Sequence, residues 1–217
     1  MEYRGIWREA GPAGADRYKD LPVVSIALIA ANAAVYLAGV LFPRLGVLME
    51  EYGRFSVSYL LYGKEYYRLI TAVFLHVGAE HLLNNMLLLY CCGDIVEKSL
   101  GRIRVLLLYL FAGLGGNLLS AAYELFTGNF YHSVGASGAV FGLTGAMLFL
   151  VIMKKGAAAH ISLRRALLSV LLSVYAGFTA QNVNNAAHVG GLLSGFMLAF
   201  LLGLTVPQTP VGRRDRG

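Results

Sequence analysis

Four side chains in this sequence have the types and spacing to carry out acyl transfer: Ser137, His188, His81 and Asn85. A serine hydroxyl is a poor nucleophile until a neighbouring base takes its proton, and neutral imidazole is the commonest such base. Ser137 sits in the run Gly135-Ala136-Ser137-Gly138-Ala139, and His188 opens an apolar run after an Asn-rich turn. His81 and Asn85 are four residues apart, so on a helix they share one face and can aim side-chain N–H groups at a developing oxyanion. The Ser137 backbone N–H is a further donor, because the first turn of a helix leaves its amides unpaired. No acidic residue stands where a third triad member is expected, so the pattern predicts a Ser–His dyad.

Each residue alone has an ordinary reading. A serine in a membrane helix commonly returns its proton to a carbonyl one turn back. A lone His81 reads as a hydrogen-bonded packing residue, His132 and His160 fall in connections, and His76 fixes the outer loop or the start of the following helix. His188 is harder to dismiss, because an ionisable group within a span is costly and faces the protein interior. Gly191 and Gly195 lie three and seven residues after His188, and Gly138, Gly142 and Gly145 follow Ser137. Small residues on facing helices allow close backbone approach, which brings hydroxyl and imidazole within reach. Phe141, one turn below Ser137, offers a ring that can stack under His188. The adjacent cysteines, Cys91 and Cys92, read as small apolar packing residues.

The elements that must position these residues follow from composition. In 217 residues the hydrophobic share is 57%, charged residues are 14%, the net charge is +6 and mean hydropathy is +0.62. Ordinary globular chains carry about 25% charged residues. Too little polar side chain is present to coat a water-soluble surface, which excludes disorder, a secreted disulfide scaffold and most soluble enzymes. The chain reads as an all-α, polytopic membrane protein. A helix needs about 20 apolar residues to cross a bilayer. Gaps between charges place spans at about 21–43, 81–97, 105–123, 137–153, 166–178 and 187–204, the fourth being short for a full crossing. The 23-residue first run is too long for a signal-peptide core.

Six spans put both termini on one side. The N-terminal segment 1–20, the 98–104 and 154–165 connections and the tail 205–217 hold fourteen of the eighteen Lys and Arg residues, so this side is cytoplasmic. The other four, Arg44, Arg54, Lys64 and Arg68, lie in the outer loop 44–80. That loop is rich in tyrosine and predicts a partly helical segment lying in the outer interface. The basic balance is thus a topology signal and not a nucleic-acid footprint. The second, fourth and sixth spans all run inward from the outer face, which brings His81, Ser137 and His188 to similar depth.

With these residues in place, the chain resembles the rhomboid intramembrane serine proteases over about 60–204. The likeness rests on Tyr67-Arg68, His81-x-x-x-Asn85, Val96-Glu97-Lys98 with Gly101, Gly135-Ala136-Ser137-Gly138, and Ala187-His188-x-x-Gly191-x-x-x-Gly195. The resemblance implies a six-helix rhomboid-like bundle in its minimal form, with Ser137 as nucleophile and His188 as general base. It implies an oxyanion hole from His81, Asn85 and the Ser137 amide, with Phe141, Gly135, Gly138, Gly191, Gly195 and Arg68 in support. It also implies single-span membrane protein substrates, a cell-membrane location with the site opening to the extracytoplasmic side, and no cofactor or metal. Two positions depart from the usual pattern: Tyr67 stands where Trp is usual, and Phe141 where Tyr is common. Competing readings are an inert rhomboid-like protein that binds membrane clients and a small transporter. The first typically lacks the serine or histidine present here, and the second often shows internal repeats and midplane charges that are absent.

Overall fold

A computed structural model of the chain describes residues 21–179 and 183–204. The N-terminal segment 1–20 and the tail 205–217 lie outside the described residues, as do Gln181 and Asn182 of the Asn-rich turn. Among the described residues the architecture is helical, with a single isolated β-bridge. In chain order the α-helices are α1 (Val23–Leu41), α2 (Pro43–Gly53), α3 (Val57–Leu61), α4 (Arg68–Thr71), α5 (Ala79–Leu100), α6 (Arg102–Thr127), α7 (Ser137–Ile152), α8 (Leu163–Thr179) and α9 (Asn185–Gly203). Short 3-10 turns cover Ala72–Phe74 and Gly156–His160.

A helix occupies each apolar stretch picked out by the gaps between charges. α6 is longer than its uncharged core, taking in Arg102, Arg104 and Glu124. On length and composition α1, α6 and α9 suffice to cross a membrane, and a fourth span arises if Arg68–Phe74 and Ala79–Leu100, bent by 96°, count as one. α7 is shorter at 16 residues, about 24 Å at 1.5 Å per residue. Its surroundings account for this. α7 is buried on nearly all sides, whereas α1, α5, α6, α8 and α9 carry exposed leucines and aromatics, so α7 is the central post of the bundle.

Glycine sets how closely the post is gripped. A Cβ on Gly191 would lie 1.9 Å from Gly138 O, and one on Gly195 would lie 2.0 Å from Gly142 O. From the α7 side, a Cβ on Gly145 would lie 2.1 Å from Leu192 O. The backbones of α7 and α9 therefore touch, which no larger residue at these positions permits.

α1 is anchored at its start by a carboxylate from another helix. Glu97 of α5 is buried and accepts from Val24 N at 3.0 Å, Ser25 N at 2.8 Å and Ser25 Oγ at 2.8 Å. Those amides are the unpaired donors of a helix N-terminus, where negative charge is also favoured. Deeper in the bundle, Asn32 donates to the Tyr109 hydroxyl at 3.0 Å, joining α1 to α6. The turn between α5 and α6 passes through Gly101 at φ +93°, a conformation that excludes most side chains.

Candidate active site

The expected outer loop 44–80 is ordered by one buried arginine. Arg68 lies with its guanidinium carbon 4.0 Å from the Tyr59 ring centroid. Its Nε donates to Glu65 at 2.6 Å, and Nη1 donates to the Glu51 carbonyl at 2.7 Å and the Arg54 carbonyl at 3.1 Å. The Tyr67 hydroxyl donates to the same Glu65 oxygen at 2.7 Å. These two donors and the adjacent guanidinium charge hold the Glu65 carboxyl below the usual carboxylate range.

This segment is stitched to the stretch that leads into α7. Phe55 and Ser133 exchange backbone hydrogen bonds at 3.0 and 2.9 Å, Gly135 N donates to Ala72 O at 2.9 Å, and Asn117 of α6 donates to Leu69 O at 2.8 Å. Gly135 is required twice over. Its φ is +136°, and a Cβ there would lie 2.9 Å from His81 Nε2 and 3.7 Å from Ser137 Oγ. His81 and the Ser137 hydroxyl therefore flank one point in space.

Ser137 is the first residue of α7, and its side chain is half-buried. Being first, its N–H has no partner four residues back within the helix. His81 lies in the first turn of α5 and Asn85 one turn later. Asn85 Nδ2 donates to His81 O at 3.0 Å, and an amide NH2 carries two hydrogens, so one remains. His188, on the first turn of α9, is 9% exposed. Its ring lies over Phe141 with centroids 4.2 Å apart and planes 9° from parallel. Phe141 is one turn below Ser137, so the stack places the imidazole on the serine's face of α7. Ser137 and His188 form no hydrogen bond to each other, and among the described residues the buried His188 Nδ1 has no hydrogen-bond partner. Such contacts are often loose before substrate binds.

Beside Ser137 is a cavity of about 20 Å³ whose lining includes Asn117, Ser133, Gly135, Ser137 and Asn184, space for about one water-sized group. A larger, mainly apolar cleft of about 630 Å³ between α6 and α9, lined by Leu119, Phe126, Val189 and others, includes neither Ser137 nor His188. Among the described residues no three His, Cys, Asp or Glu side chains come together as a metal site.

Three features had no strong signal in sequence. His76 packs edge-on to His81 with ring centroids 5.1 Å apart, and burial, helped by the neighbouring His81, pulls its pKa down to about 4. Gly177 of α8 abuts His188, for a Cβ there would lie 3.0 Å from both His188 Nδ1 and Asn185 Oδ1. Glu124 is fully buried in a polar chain with Ser120 and Asn184.

The Rhomboid domain family model matches residues 63–205, a stretch that contains His81, Asn85, Ser137, Phe141 and His188. The chain belongs to the rhomboid family. Rhomboid protease GluP of Bacillus subtilis (strain 168) is 37% identical over 140 residues, 64% of this chain and 27% of that protein. RHOMBOID-like protein 1 of Arabidopsis thaliana is 37% identical over 171 residues, 76% of this chain and 42% of that protein. RHOMBOID-like protein 2 of the same plant is 40% identical over 173 residues, 77% of this chain and 52% of that protein. The chain thus spans from about a quarter to about half the length of these relatives. As a rhomboid it is a polytopic helical membrane protein, consistent with its apolar helices.

Proposed function

We propose that this rhomboid is an intramembrane serine endopeptidase that cleaves the membrane segments of single-span proteins. The observation that carries the reading is the His188–Phe141 stack one turn below Ser137, at the point where α7 and α9 touch. In this account His188 Nε2 takes the hydroxyl proton as Ser137 Oγ attacks the scissile carbonyl carbon. The Ser137 amide, His81 and the second N–H of Asn85 receive the developing oxyanion. His188 then gives its proton to the leaving amine, leaving an acyl ester on Ser137. A water, activated by the same imidazole, hydrolyses that ester. The 20 Å³ cavity beside Ser137 has room for such a water.

The proposed topology has all six long helices crossing the bilayer, both termini cytoplasmic and the site opening outward. The lipid bilayer and a membrane-anchored substrate are then the partners, with no nucleic acid and no cofactor. A fluorophosphonate probe tests the dyad. Wild-type protein should be labelled at Ser137, and His188→Ala should lose nearly all labelling. Full labelling of His188→Ala contradicts the mechanism.

A further inference from the structure

A second polar cluster is buried at the same end of the bundle, outside the groups assigned to the chemistry. Glu124, in the last turn of α6, and Ser120, one turn earlier, are both fully buried. Ser120 Oγ donates to Glu124 Oε1 at 3.0 Å and accepts from Asn184 Nδ2 at 2.7 Å. Asn184 Oδ1 accepts the Ala187 backbone N–H at 3.0 Å, which caps α9. The Tyr131 hydroxyl donates to the same oxygen at 3.3 Å.

The order of donors and acceptors has a direction, fixed at one end by the Ala187 N–H, which can only donate to Asn184 Oδ1, and matched at the other by Glu124. A carboxylate accepts and does not donate. Ser120 therefore commits its one O–H to Glu124 and presents only lone pairs to Asn184. Those lone pairs match the NH2 end of the Asn184 amide, whose Oδ1 is held at the helix start. Reversed, the amide would set a donor against the Ala187 N–H. The next residue is His188, whose own N–H donates to Asn184 O at 3.2 Å. The first turn of α9 thus runs from the cap to the imidazole.

We propose that Glu124 is a positioning residue for His188: through Ser120 and Asn184 it holds the first turn of α9, and with it the imidazole, in register with Ser137. This rests on the protease reading above. A carboxyl group is a costly filler for a buried site, and the side-chain partner of Glu124 among the described residues is Ser120, which ties it to Asn184.

The test measures reporter cleavage by the full chain in liposomes, together with the rate and final extent of fluorophosphonate labelling at Ser137. Glu124→Gln keeps an acceptor for Ser120 and should stay within about twofold of wild type. Glu124→Leu and Ser120→Ala should lower kcat and labelling rate by about five- to tenfold, the effect of a lost helix cap. KM and the final extent of labelling should not change. Wild-type kcat in folded Glu124→Leu and Ser120→Ala overturns the proposal. So does a reduced extent of labelling at an unchanged rate, which marks partial unfolding, or a Glu124→Gln variant as slow as Glu124→Leu. Should Glu124→Leu not fold, Ser120→Ala, the smaller change, decides. A wild-type chain that neither cleaves nor labels removes the protease reading itself, a result distinct from all of these.

Discussion

His188 lies flat on Phe141, with ring centroids 4.2 Å apart and planes 9° from parallel. The stack fixes the plane of the imidazole without a carboxylate partner. Gly177 of α8 lies against its Nδ1, where a Cβ would come within 3.0 Å. The His188 ring is thus packed on Phe141, with the small Gly177 beside its Nδ1.

Phe141→Ala should lower kcat by about three- to tenfold, since an aromatic pair contributes about 0.5–1.5 kcal/mol beyond area burial. Phe141→Tyr, which keeps the ring, should cleave like the wild type. Steady-state cleavage of a membrane-anchored reporter checks both.

The contact between α7 and α9 predicts a stability effect. Gly191→Ala places a Cβ 1.9 Å from Gly138 O, so the helices must separate, at a cost of about 1–3 kcal/mol. The thermal unfolding midpoint in detergent should fall and activity should fall with it. Gly78→Ala is the contrast, because nothing lies within 4 Å of its Cβ and only its place as the N-cap of α5 is affected, so its midpoint should fall less.

Much of the helical layout was legible because charges are expensive in lipid, so their gaps mark the apolar helices. Ser137 and His188 stood out as candidates for a related reason, being polar groups at the ends of helices rich in glycine. Glu124 was not, because along the chain it reads as the charge that closes a span. The polar chain it belongs to runs through Ser120 to Asn184, 60 positions away in sequence. Gly177 was hidden for the same reason, since an absent side chain gains meaning only when α8 packs beside His188. Arg68 could be named from its motif, but its carbonyl partners at Glu51 and Arg54 could not.

Arg68 organises that segment through groups a lysine cannot match. Arg68→Lys loses the planar fork and the stacking on Tyr59. Stability should fall by about 2 kcal/mol, the scale of hydrogen bonds to a charged group. Urea unfolding in mild detergent, comparing the two proteins, measures it.

His76 predicts a pH dependence of stability. Its folded pKa, near 4, lies below the ordinary value of 6.5. Between these values the unfolded chain binds a proton that the folded chain does not, so acid favours unfolding. The contribution is complete above pH 6.5 and is lost progressively as pH falls toward 4. His76→Phe should flatten the stability profile across that window and leave it unchanged above. Unfolding midpoints at closely spaced pH values check the sign.

The central claim is that Ser137 cuts a peptide bond within the membrane. Purified wild-type and Ser137→Ala proteins, each reconstituted in liposomes with a single-span reporter, test it when the products are mapped by mass spectrometry. The account predicts a cut inside or at the outer edge of the reporter's apolar segment with wild type, and intact reporter with Ser137→Ala inserted to the same level. Equal cleavage by the two proteins would contradict it.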